Sequence, residues 1–183
     1  MSKKIVILNG SPRRKGNTSA LVSAFAEGAK SSGHTVAEFF LNGMNIHGCR
    51  GCFGGHSSKA CPCVQKDDMD QIYPEVKDCD IVVIASPLYY WNLSGQIRTA
   101  FDRLFALEEG DGNLLRGHNR GGVLLMAAEG HGFEDVLTYY QHLMEHLRWK
   151  DLGHVLAGGN GDVGDIQGKP ELEQAYSLGK SIE

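Results

Sequence analysis

The residues between positions 10 and 19 have the types that bind a phosphate group. The segment reads Gly-Ser-Pro-Arg-Arg-Lys-Gly-Asn-Thr-Ser, which combines glycines, hydroxyl donors and three adjacent cations. It lies between a short apolar run and a stretch of helical periodicity, so free N–H groups at a helix N-terminus would favour an anion there. The segment lacks the G-x-x-x-x-G-K-[ST] spacing, which disfavours a kinase or ATPase. A polar turn with solvated cations is the alternative.

Two further loops carry groups that could contact a ligand. Residues 86–92 contain the consecutive rings of Tyr89, Tyr90 and Trp91, which could pack against a flat aromatic molecule. Packing of these rings in the core or within a turn is the alternative interpretation. Residues 128–132, with the sequence Ala-Glu-Gly-His-Gly, follow another apolar run and would lie on the same rim.

Cysteine usage points to a second kind of site. Four of the five cysteines lie within residues 44–70 with the spacing C-x2-C-x8-C-x-C, namely Cys49, Cys52, Cys61 and Cys63. The odd total favours reduced thiols or metal ligands over a disulfide framework. Thiolates suit both an iron–sulfur cluster and zinc, and His47 and His56 are candidate ligands beside them. Reduced thiols, a cluster and zinc are three open interpretations, whereas Cys79 is expected to be a small buried residue.

Regular elements must bring these loops together. Unbroken apolar runs at 4–8, 80–85 and 122–127 predict strands buried on both faces, and weaker runs at 36–41 and 152–157 complete a set of five. Helical periodicities begin near residues 17, 72, 94, 133 and 170, with Asn17 and Ser94 expected as N-caps. This alternation predicts an α/β fold with a doubly wound parallel sheet of order 2-1-3-4-5. A ligand would then bind at the carboxyl ends of strands 1 and 3.

Composition restricts the class of protein. The 183 residues carry 18 Lys and Arg against 22 Asp and Glu, and the net charge of −4 gives no basic surface for nucleic acid. No run reaches the roughly 18 apolar residues of a membrane span. We expect neither a signal peptide nor an anchor, and hence a cytoplasmic protein. The length predicts a single domain over residues 1–183, with a Cys-rich insertion at about 44–70.

The motifs, in their order, resemble the flavodoxin-like family of NAD(P)H-dependent FMN reductases, close to its iron–sulfur flavoprotein branch. The resemblance covers nearly the whole chain and is carried by Gly10-Ser11-Pro12-Arg13 with Gly16-Asn17-Thr18, by Asp67-Asp68-Met69, by Ser86-Pro87-Leu88-Tyr89-Tyr90 with Ser94-Gly95, and by Asp102-Arg103. It implies a flavodoxin-like fold in which FMN carries the chemistry, while the protein sets orientation and electrostatics.

The same resemblance implies which residues bind FMN. The phosphate would be held by Ser11, Arg13, Asn17, Thr18 and Ser19. The isoalloxazine ring would be cradled by Pro87, Leu88, Tyr89, Tyr90, Trp91 and Asn92, with Ala128, Glu129 and Gly130 closing over its other side or edge. No catalytic side chain is expected, because the cofactor itself transfers the electrons. Tyr89 and Glu129 are placed to influence hydrogen bonding to the ring.

The resemblance also implies a reaction. A nicotinamide would stack on the exposed flavin face and pass hydride to FMN, which would then reduce a flavin, a quinone or a similar small-molecule acceptor. A homodimer or homotetramer is the expected assembly. The alternative is an iron–sulfur flavoprotein that transfers electrons with a ferredoxin-like partner and does not turn over nicotinamide. A flavodoxin-like scaffold that has lost its cofactor is a third hypothesis.

The iron–sulfur branch differs from this chain at one cysteine. Cys49 and Cys52 match its first pair and Cys63 matches the position before Asp67-Asp68-Met69, but Gly54-Gly55 occupy the region of the third cysteine, for which Cys61 is the available substitute.

Two other patterns are expected to carry no chemistry. His142-Leu143-Met144-Glu145-His146 matches H-x-x-E-H but predicts a solvated or subunit-facing helix stripe. The G-x-G-x-x-G match at 159–164 follows the last strand rather than the first, which disfavours a dinucleotide-binding fingerprint.

Overall fold

The structure, a computed structural model, describes residues 1–55, 61–109 and 112–183. The strands are β1 (Lys4–Asn9), β2 (Thr35–Phe40), β3 (Ile81–Pro87), β4 (Gly121–Ala127) and β5 (Lys150–Ala157). The helices are α1 (Asn17–Ser31), α2 (Met69–Lys77), α3 (Gly95–Leu104), α4 (Glu134–Leu147) and α5 (Pro170–Lys180). Across the described part of the chain, no helix combines the length and apolar character that crossing a membrane requires.

The five strands form one parallel sheet in the order β2-β1-β3-β4-β5. This confirms the predicted α/β fold and its strand order. β1 lies between β2 and β3, so Ile5 has Val36 on one side and Ile81 on the other. The chain therefore extends the sheet first in one direction from β1 and then in the opposite direction from β3.

The core has two layers because both faces of the central strands are covered. Along β1, Ile5 and Ile7 belong to a buried cluster with residues of α1 and α5, whereas Val6 and Leu8 belong to a cluster with residues of α2, α3 and α4. Successive strand residues point to opposite faces, so an unbroken apolar run is what such a sheet requires. All four side chains are fully buried.

Helix starts differ in part from expectation. Ser94 caps α3 as predicted, with its Oγ accepting from the Ile97 N–H at 3.4 Å. The prediction for Asn17 was wrong: Gly16 is the N-cap of α1 and makes no side-chain cap hydrogen bond. α2 begins at Met69 rather than near residue 72. In the described residues of the predicted insertion, 44–55 and 61–68, there is neither helix nor strand.

Helices α1 and α5 approach each other closely at a pair of glycines. A Cβ on Gly28 would lie 2.9 Å from the carbonyl carbon of Tyr176 and 3.0 Å from the backbone nitrogen of Lys180. On the other helix, a Cβ on Gly179 would lie 3.0 Å from the backbone nitrogen of Ala29. Because these neighbours are backbone atoms, a methyl group can be accommodated only if the helices separate.

We expect Gly28→Ala to lower the free energy of unfolding by about 1 to 3 kcal/mol, because overpacking forces α1 away from α5. Urea denaturation measures the difference. Gly95→Ala is the matched control, since it adds the same methyl group to a helix at a position with nothing within 4 Å. Equal stabilities for the two variants would contradict the close-packing interpretation.

Candidate functional site

A cleft opens at the carboxyl edge of the sheet, where the loops after β1, β3, β4 and β5 meet. Its empty volume, including the space open to solvent, is about 740 Å³. It is lined by Ser11, Pro12, Arg13, Gly16, Asn17, Thr18, Pro87, Leu88, Tyr89, Ala127, Ala128, Glu129, Asn160 and Gly161. The cleft thus brings together residues from all three loops that the sequence indicated.

The loop after β1 is curled by its own hydrogen bonds. The Ser11 N–H donates to Oδ1 of Asn9 at 3.0 Å, and the Ser11 hydroxyl donates to the carbonyl of Arg13 at 2.9 Å. The Gly16 N–H donates to the same carbonyl at 3.0 Å. These bonds return the chain to the sheet edge, so α1 begins at the cleft wall with its first N–H groups and its positive dipole end.

Four of the five predicted phosphate residues line the cleft, namely Ser11, Arg13, Asn17 and Thr18. Ser19 lies beneath the loop instead, where its hydroxyl donates to the Arg13 carbonyl at 3.1 Å and accepts from Nδ2 of Asn9 at 3.2 Å. The Asn17 amide is also engaged, because its Nδ2 donates to the Asp162 carbonyl at 2.7 Å and its Oδ1 accepts from the Gly164 N–H at 2.9 Å. The Ser11 hydroxyl is engaged too, since it donates its proton to the Arg13 carbonyl, so Arg13 and Thr18 are the side chains best placed for an anion.

The predicted ring-binding loop divides into two parts. Pro87, Leu88 and Tyr89 line the cleft, and the Tyr89 ring is partly exposed there. Tyr90, Trp91 and Asn92 are not among the lining residues. Tyr89 and Asn92 exchange backbone hydrogen bonds of 3.0 and 3.1 Å, so the two residues between them form a projecting tip.

The loop after β4 supplies Ala128 and Glu129 to the wall of the cleft, whereas Gly130 is exposed and does not line the cleft. This loop is joined to the one after β5: the Gly159 N–H donates to the Glu129 carbonyl at 2.9 Å, and the Asn160 N–H donates to the Ala128 carbonyl at 2.8 Å. Lys169 holds the second loop from behind, through Nζ donation to the Gly159 carbonyl at 2.7 Å.

Sequence reasoning missed the contribution of the loop after β5. Asn160 and Gly161 line the cleft, although their G-x-G-x-x-G context was considered only as a dinucleotide-binding fingerprint, which it disfavoured. That pattern is still no dinucleotide fingerprint, since it follows the last strand. The available signal was topological: the carboxyl end of β5 lies at the same edge as those of β1, β3 and β4.

The geometry fits a phosphorylated planar ligand: hydroxyls and a guanidinium stand beside a helix N-terminus, and a tyrosine ring lies across the cleft. The sequence model for the NADPH-dependent FMN reductases matches residues 3–162. The chain belongs to this family. It is 33% identical over 181 residues to an iron-sulfur flavoprotein of Archaeoglobus fulgidus. The aligned residues cover 98% of this chain and 78% of the relative. An iron-sulfur flavoprotein of Methanosarcina thermophila is 27% identical over 175 residues, which cover 96% of this chain and 87% of the relative.

Solved structures of low sequence identity share the fold of this family member. An NAD(P)H:quinone oxidoreductase from Methanothermobacter marburgensis superposes with a TM-score of 0.72 at 18% identity, covering 98% of this chain and 96% of the other. An azoreductase from Bacillus anthracis gives a TM-score of 0.72 at 16% identity, with both chains fully covered. These likenesses show the flavodoxin-like architecture, which confirms the fold expected from the motifs.

A buried ion pair attaches the cysteine-bearing segment, residues 44–70, to helix α3. The Arg103 guanidinium donates to both carboxylate oxygens of Asp67, at 2.6 and 3.1 Å, and to the His47 carbonyl at 2.8 Å. The Arg103 side chain is 1% exposed and that of Asp67 is fully buried. Asp67 also accepts from the N–H groups of His47 and Met69. One carboxylate thus holds the start of the segment, its end and the first turn of α2.

These contacts determine the ionisation of Asp67. Burial by itself raises the pKa of this carboxyl, but hydrogen bonds from the Arg103 guanidinium and from the amides of His47 and Met69 outweigh it. The pKa of Asp67 therefore lies below its ordinary value. The carboxylate stays ionised at neutral pH, as the buried cation requires.

The cysteines do not converge on one point. Cys49, Cys52 and Cys63 line a second pocket with an empty volume of about 380 Å³, whereas Cys61 is outside that lining set and donates its Sγ–H to the Asp70 carbonyl at 3.7 Å. Within residues 1–55, 61–109 and 112–183, no three His, Cys, Asp or Glu side chains are arranged to hold a metal ion. His56 lies outside the described residues. Cys79 is buried, as expected.

Gly55, one of the two glycines in the region where the resemblance implies a third cysteine, is closely packed. A Cβ at this position would lie 2.8 Å from Cα of Ala106 and 2.8 Å from Cβ of Glu109. A cysteine side chain would therefore displace the 3₁₀ turn Phe105–Leu107 that follows α3. Gly54, the other glycine of this region, meets only side-chain atoms, since a Cβ there would lie 2.9 Å from Cγ1 of Val64 and 3.4 Å from Sγ of Cys52.

The H-x-x-E-H pattern lies on the outer face of α4. His142, Glu145 and His146 are all exposed, and the His146 Nε2 is 3.7 Å from Oε1 of Glu108. Tyr140, Met144 and Leu147 form the buried face of the same helix. The expected solvent-accessible stripe is confirmed.

We expect Asp67→Asn to lower the free energy of unfolding by about 3 to 5 kcal/mol at pH 7, because it leaves the buried Arg103 charge without its counterion. A carboxyl whose folded pKa is depressed stabilises the protein above its unfolded pKa of about 3.9, and this contribution disappears as the pH falls through the folded value. The difference in free energy of unfolding between wild type and Asp67→Asn should therefore become smaller in acid. Urea denaturation at pH 7 and below pH ~4 measures it.

Asp78→Asn is the control, because it makes the same change at a carboxylate that is 57% exposed and 3.6 Å from Lys77. Such a surface pair contributes little, about 0 to 1 kcal/mol. A pH-independent effect of Asp67→Asn, or one no larger than the control, would disprove the structural role of the pair.

Proposed function

We propose that this protein is an FMN-dependent oxidoreductase that takes hydride from NAD(P)H and passes the electrons to a diffusible planar acceptor such as a quinone or a flavin. The observation that carries the proposal is the cleft itself, in which the N-terminus of α1 with Ser11, Arg13 and Thr18 faces the Tyr89 loop. Membership of the NADPH-dependent FMN reductase family supports a flavin there. We place the protein in the cytoplasm and expect a homodimer or homotetramer.

Each part of the cleft has a separate task in this proposal. The Thr18 hydroxyl and the Arg13 guanidinium bind the phosphate, with the first N–H groups of α1 adding to the positive field. Pro87 and Leu88 form an apolar floor and the Tyr89 ring packs against the isoalloxazine. Bound FMN supplies the centre that accepts and donates hydride.

Glu129 sets the charge at the ring end of the cleft. Glu129 is an acidic residue in the lining of the cleft, whereas Arg13 is the cation there. The backbone bonds to Gly159 and Asn160 hold this residue's loop in place. The open mouth leaves room for a nicotinamide and then an acceptor to occupy the same position in turn.

We expect Arg13→Ala combined with Thr18→Ala to weaken FMN binding by roughly 100-fold or more, because each charge-assisted bond to phosphate contributes about 1.5 to 3 kcal/mol. Fluorescence titration of the apoprotein measures the Kd. Riboflavin, which lacks the phosphate, should bind wild type and variant equally. Arg14→Ala is the matched control, because this neighbouring guanidinium lies 4.3 Å over the Phe40 ring and does not line the cleft. An FMN affinity unchanged in the double variant would refute the phosphate assignment.

The second candidate is an electron-transfer protein that carries FMN and an iron–sulfur cluster. The names of the two archaeal relatives favour it. Against it, no three His, Cys, Asp or Glu side chains among the described residues are arranged to hold a metal ion. We therefore propose FMN as the only redox cofactor.

One anaerobic experiment separates the two candidates. Protein purified and loaded with FMN without oxygen is assayed for iron and acid-labile sulfide, and its visible spectrum is followed after addition of NADPH or NADH. We expect no stoichiometric iron and rapid bleaching of the flavin absorption. Cys49→Ser with Cys52→Ser should bleach within about twofold of the wild-type rate, since neither exposed thiol contacts the cleft. Stoichiometric iron and sulfide with a flavin that both nucleotides leave oxidised would instead establish the electron-transfer protein.

A further inference from the structure

A second large cavity, the amino-edge cavity, lies where β1, β3, β4 and β5 begin, on the opposite edge of the sheet from the cleft. Its empty volume, including the space open to solvent, is about 970 Å³. Four of its lining residues are cations and two are carboxylates, namely Lys3, Arg120, Arg148, Lys150, Asp80 and Glu183. This local excess of positive charge contrasts with the net charge of −4 of the whole chain.

The cations of the amino-edge cavity have no carboxylate partners. Within the described residues, none of the four forms an ion pair. Asp80 is engaged elsewhere, because its Oδ2 accepts from the backbone N–H of Lys4 at 2.7 Å. Arg148 and Lys150 are exposed. Their charges are therefore available to an anion that enters the cavity.

Arg120 is the one of these cations that water solvates least, since it is only 1% exposed. Its guanidinium donates to four backbone carbonyls at 2.8 to 3.4 Å, those of Lys77, Cys79, Leu114 and Leu115. The buried guanidinium of Arg103, by contrast, has the carboxylate of Asp67 as its counterion. Carbonyl dipoles satisfy the N–H groups of Arg120 but do not cancel its charge, so a positive potential extends into its low-dielectric surroundings.

Helix dipoles do not remove this potential. The carboxyl ends of α2 and α4, which carry partial negative charge, lie beside the amino-edge cavity. Their last carbonyls are capped, because Arg120 donates to the Lys77 carbonyl at 2.9 Å and the Gly117 N–H donates to the Leu147 carbonyl at 2.8 Å. The side-chain cations thus determine the charge of the cavity.

Arg148 places one of these cations where glycine is the unstrained choice. It ends α4 in the left-handed conformation, with a φ of +55° and a ψ of +39°. Glycine usually occupies such a position, since a Cβ is strained there. The Arg148 side chain is exposed and adds little to the core. Strain of this kind is maintained where the side chain serves a site rather than the fold.

The cations also indicate the class of ligand. A guanidinium binds phosphate oxygens in pairs and an ammonium binds them as a point charge. A phosphate dianion gains more from several cations than a single carboxylate does. A nucleic acid requires an extended basic surface, which this acidic chain does not provide.

We propose that the amino-edge cavity binds a small phosphate-bearing anion, which Arg148 and Lys150 contact within the positive field of Arg120. Inorganic pyrophosphate and phosphorylated metabolites share this chemistry. The inference goes beyond the proposed function, because the cavity and the cleft lie at opposite edges of the sheet.

The test is calorimetric titration of the FMN-loaded protein with inorganic pyrophosphate at low ionic strength, since bound FMN occupies the phosphate end of the cleft. We expect one pyrophosphate per chain, and binding that weakens as salt is added. Arg148→Gly with Lys150→Gln should raise the Kd roughly 10-fold or more, because two charge-assisted contacts are lost. The Tm of this double variant should be no lower than that of wild type, because glycine relieves the strain at position 148.

Lys30→Gln with Lys180→Gln is the matched control. It removes the same number of charges from exposed positions in the last turns of α1 and α5, neither of which lines the cavity. Its pyrophosphate Kd should stay within about twofold of wild type. Arg13→Ala with Thr18→Ala, titrated without FMN, should also bind pyrophosphate at the cavity, which keeps this test independent of the flavin assignment.

Three results would overturn the inference. The first is the absence of pyrophosphate binding to FMN-loaded wild type. The second is an equal loss of affinity in the cavity variant and in the control, which would leave net charge as the only cause. The third is an oligonucleotide that binds more tightly than pyrophosphate and loses its affinity in the cavity variant, which would assign the cavity to nucleic acid.

Discussion

The parallel pairing of β1 with β2 on one side and β3 on the other is the constraint on which the site depends. From β1 the chain crosses to β2 through α1, on one face of the sheet, and it reaches β3 through α2, on the other face. The loops that leave β1 and β3 therefore diverge and open a crevice between them. The Gly10 N–H, which donates to the Ala85 carbonyl at 2.8 Å, and the Ser94 hydroxyl, which donates to the Gly10 carbonyl at 2.9 Å, fix the two loops at the base of that crevice.

The Asp67–Arg103 ion pair also fixes a segment that lacks regular structure, but it lies outside the cleft. Residues 44–55 and 61–68 contain no regular element that could attach them to the sheet. The ion pair replaces such an element, since its carboxylate accepts from the amides of His47 and Met69 and its guanidinium binds the His47 carbonyl. A buried charge pair tolerates little displacement, because either charge alone would be strongly destabilised. The segment is thus held in one position without a hydrophobic core of its own.

The sequence predicts the fold well because its signals are local. The unbroken apolar runs of β1, β3 and β4 require two covered faces, and the alternation with amphipathic helices leaves few topologies. The cleft-lining roles of Arg13, Tyr89 and Glu129 follow from their places after strands. The same reasoning does not reach side chains whose partners are remote. Asn17 bonds to the loop after β5, and Tyr90 turns outwards because Tyr89 and Asn92 are hydrogen-bonded to each other. No local sequence pattern encodes either of these contacts.

The bridge from Asn17 to the loop after β5 joins residues 147 positions apart. It links the first turn of α1 to the loop that follows the last strand of the sheet. Asn17 and the lining residues Asn160 and Gly161 are therefore joined in one wall of the cleft, although they are remote in sequence. A substitution in residues 160–164 can displace the start of α1 without changing any residue of the loop after β1.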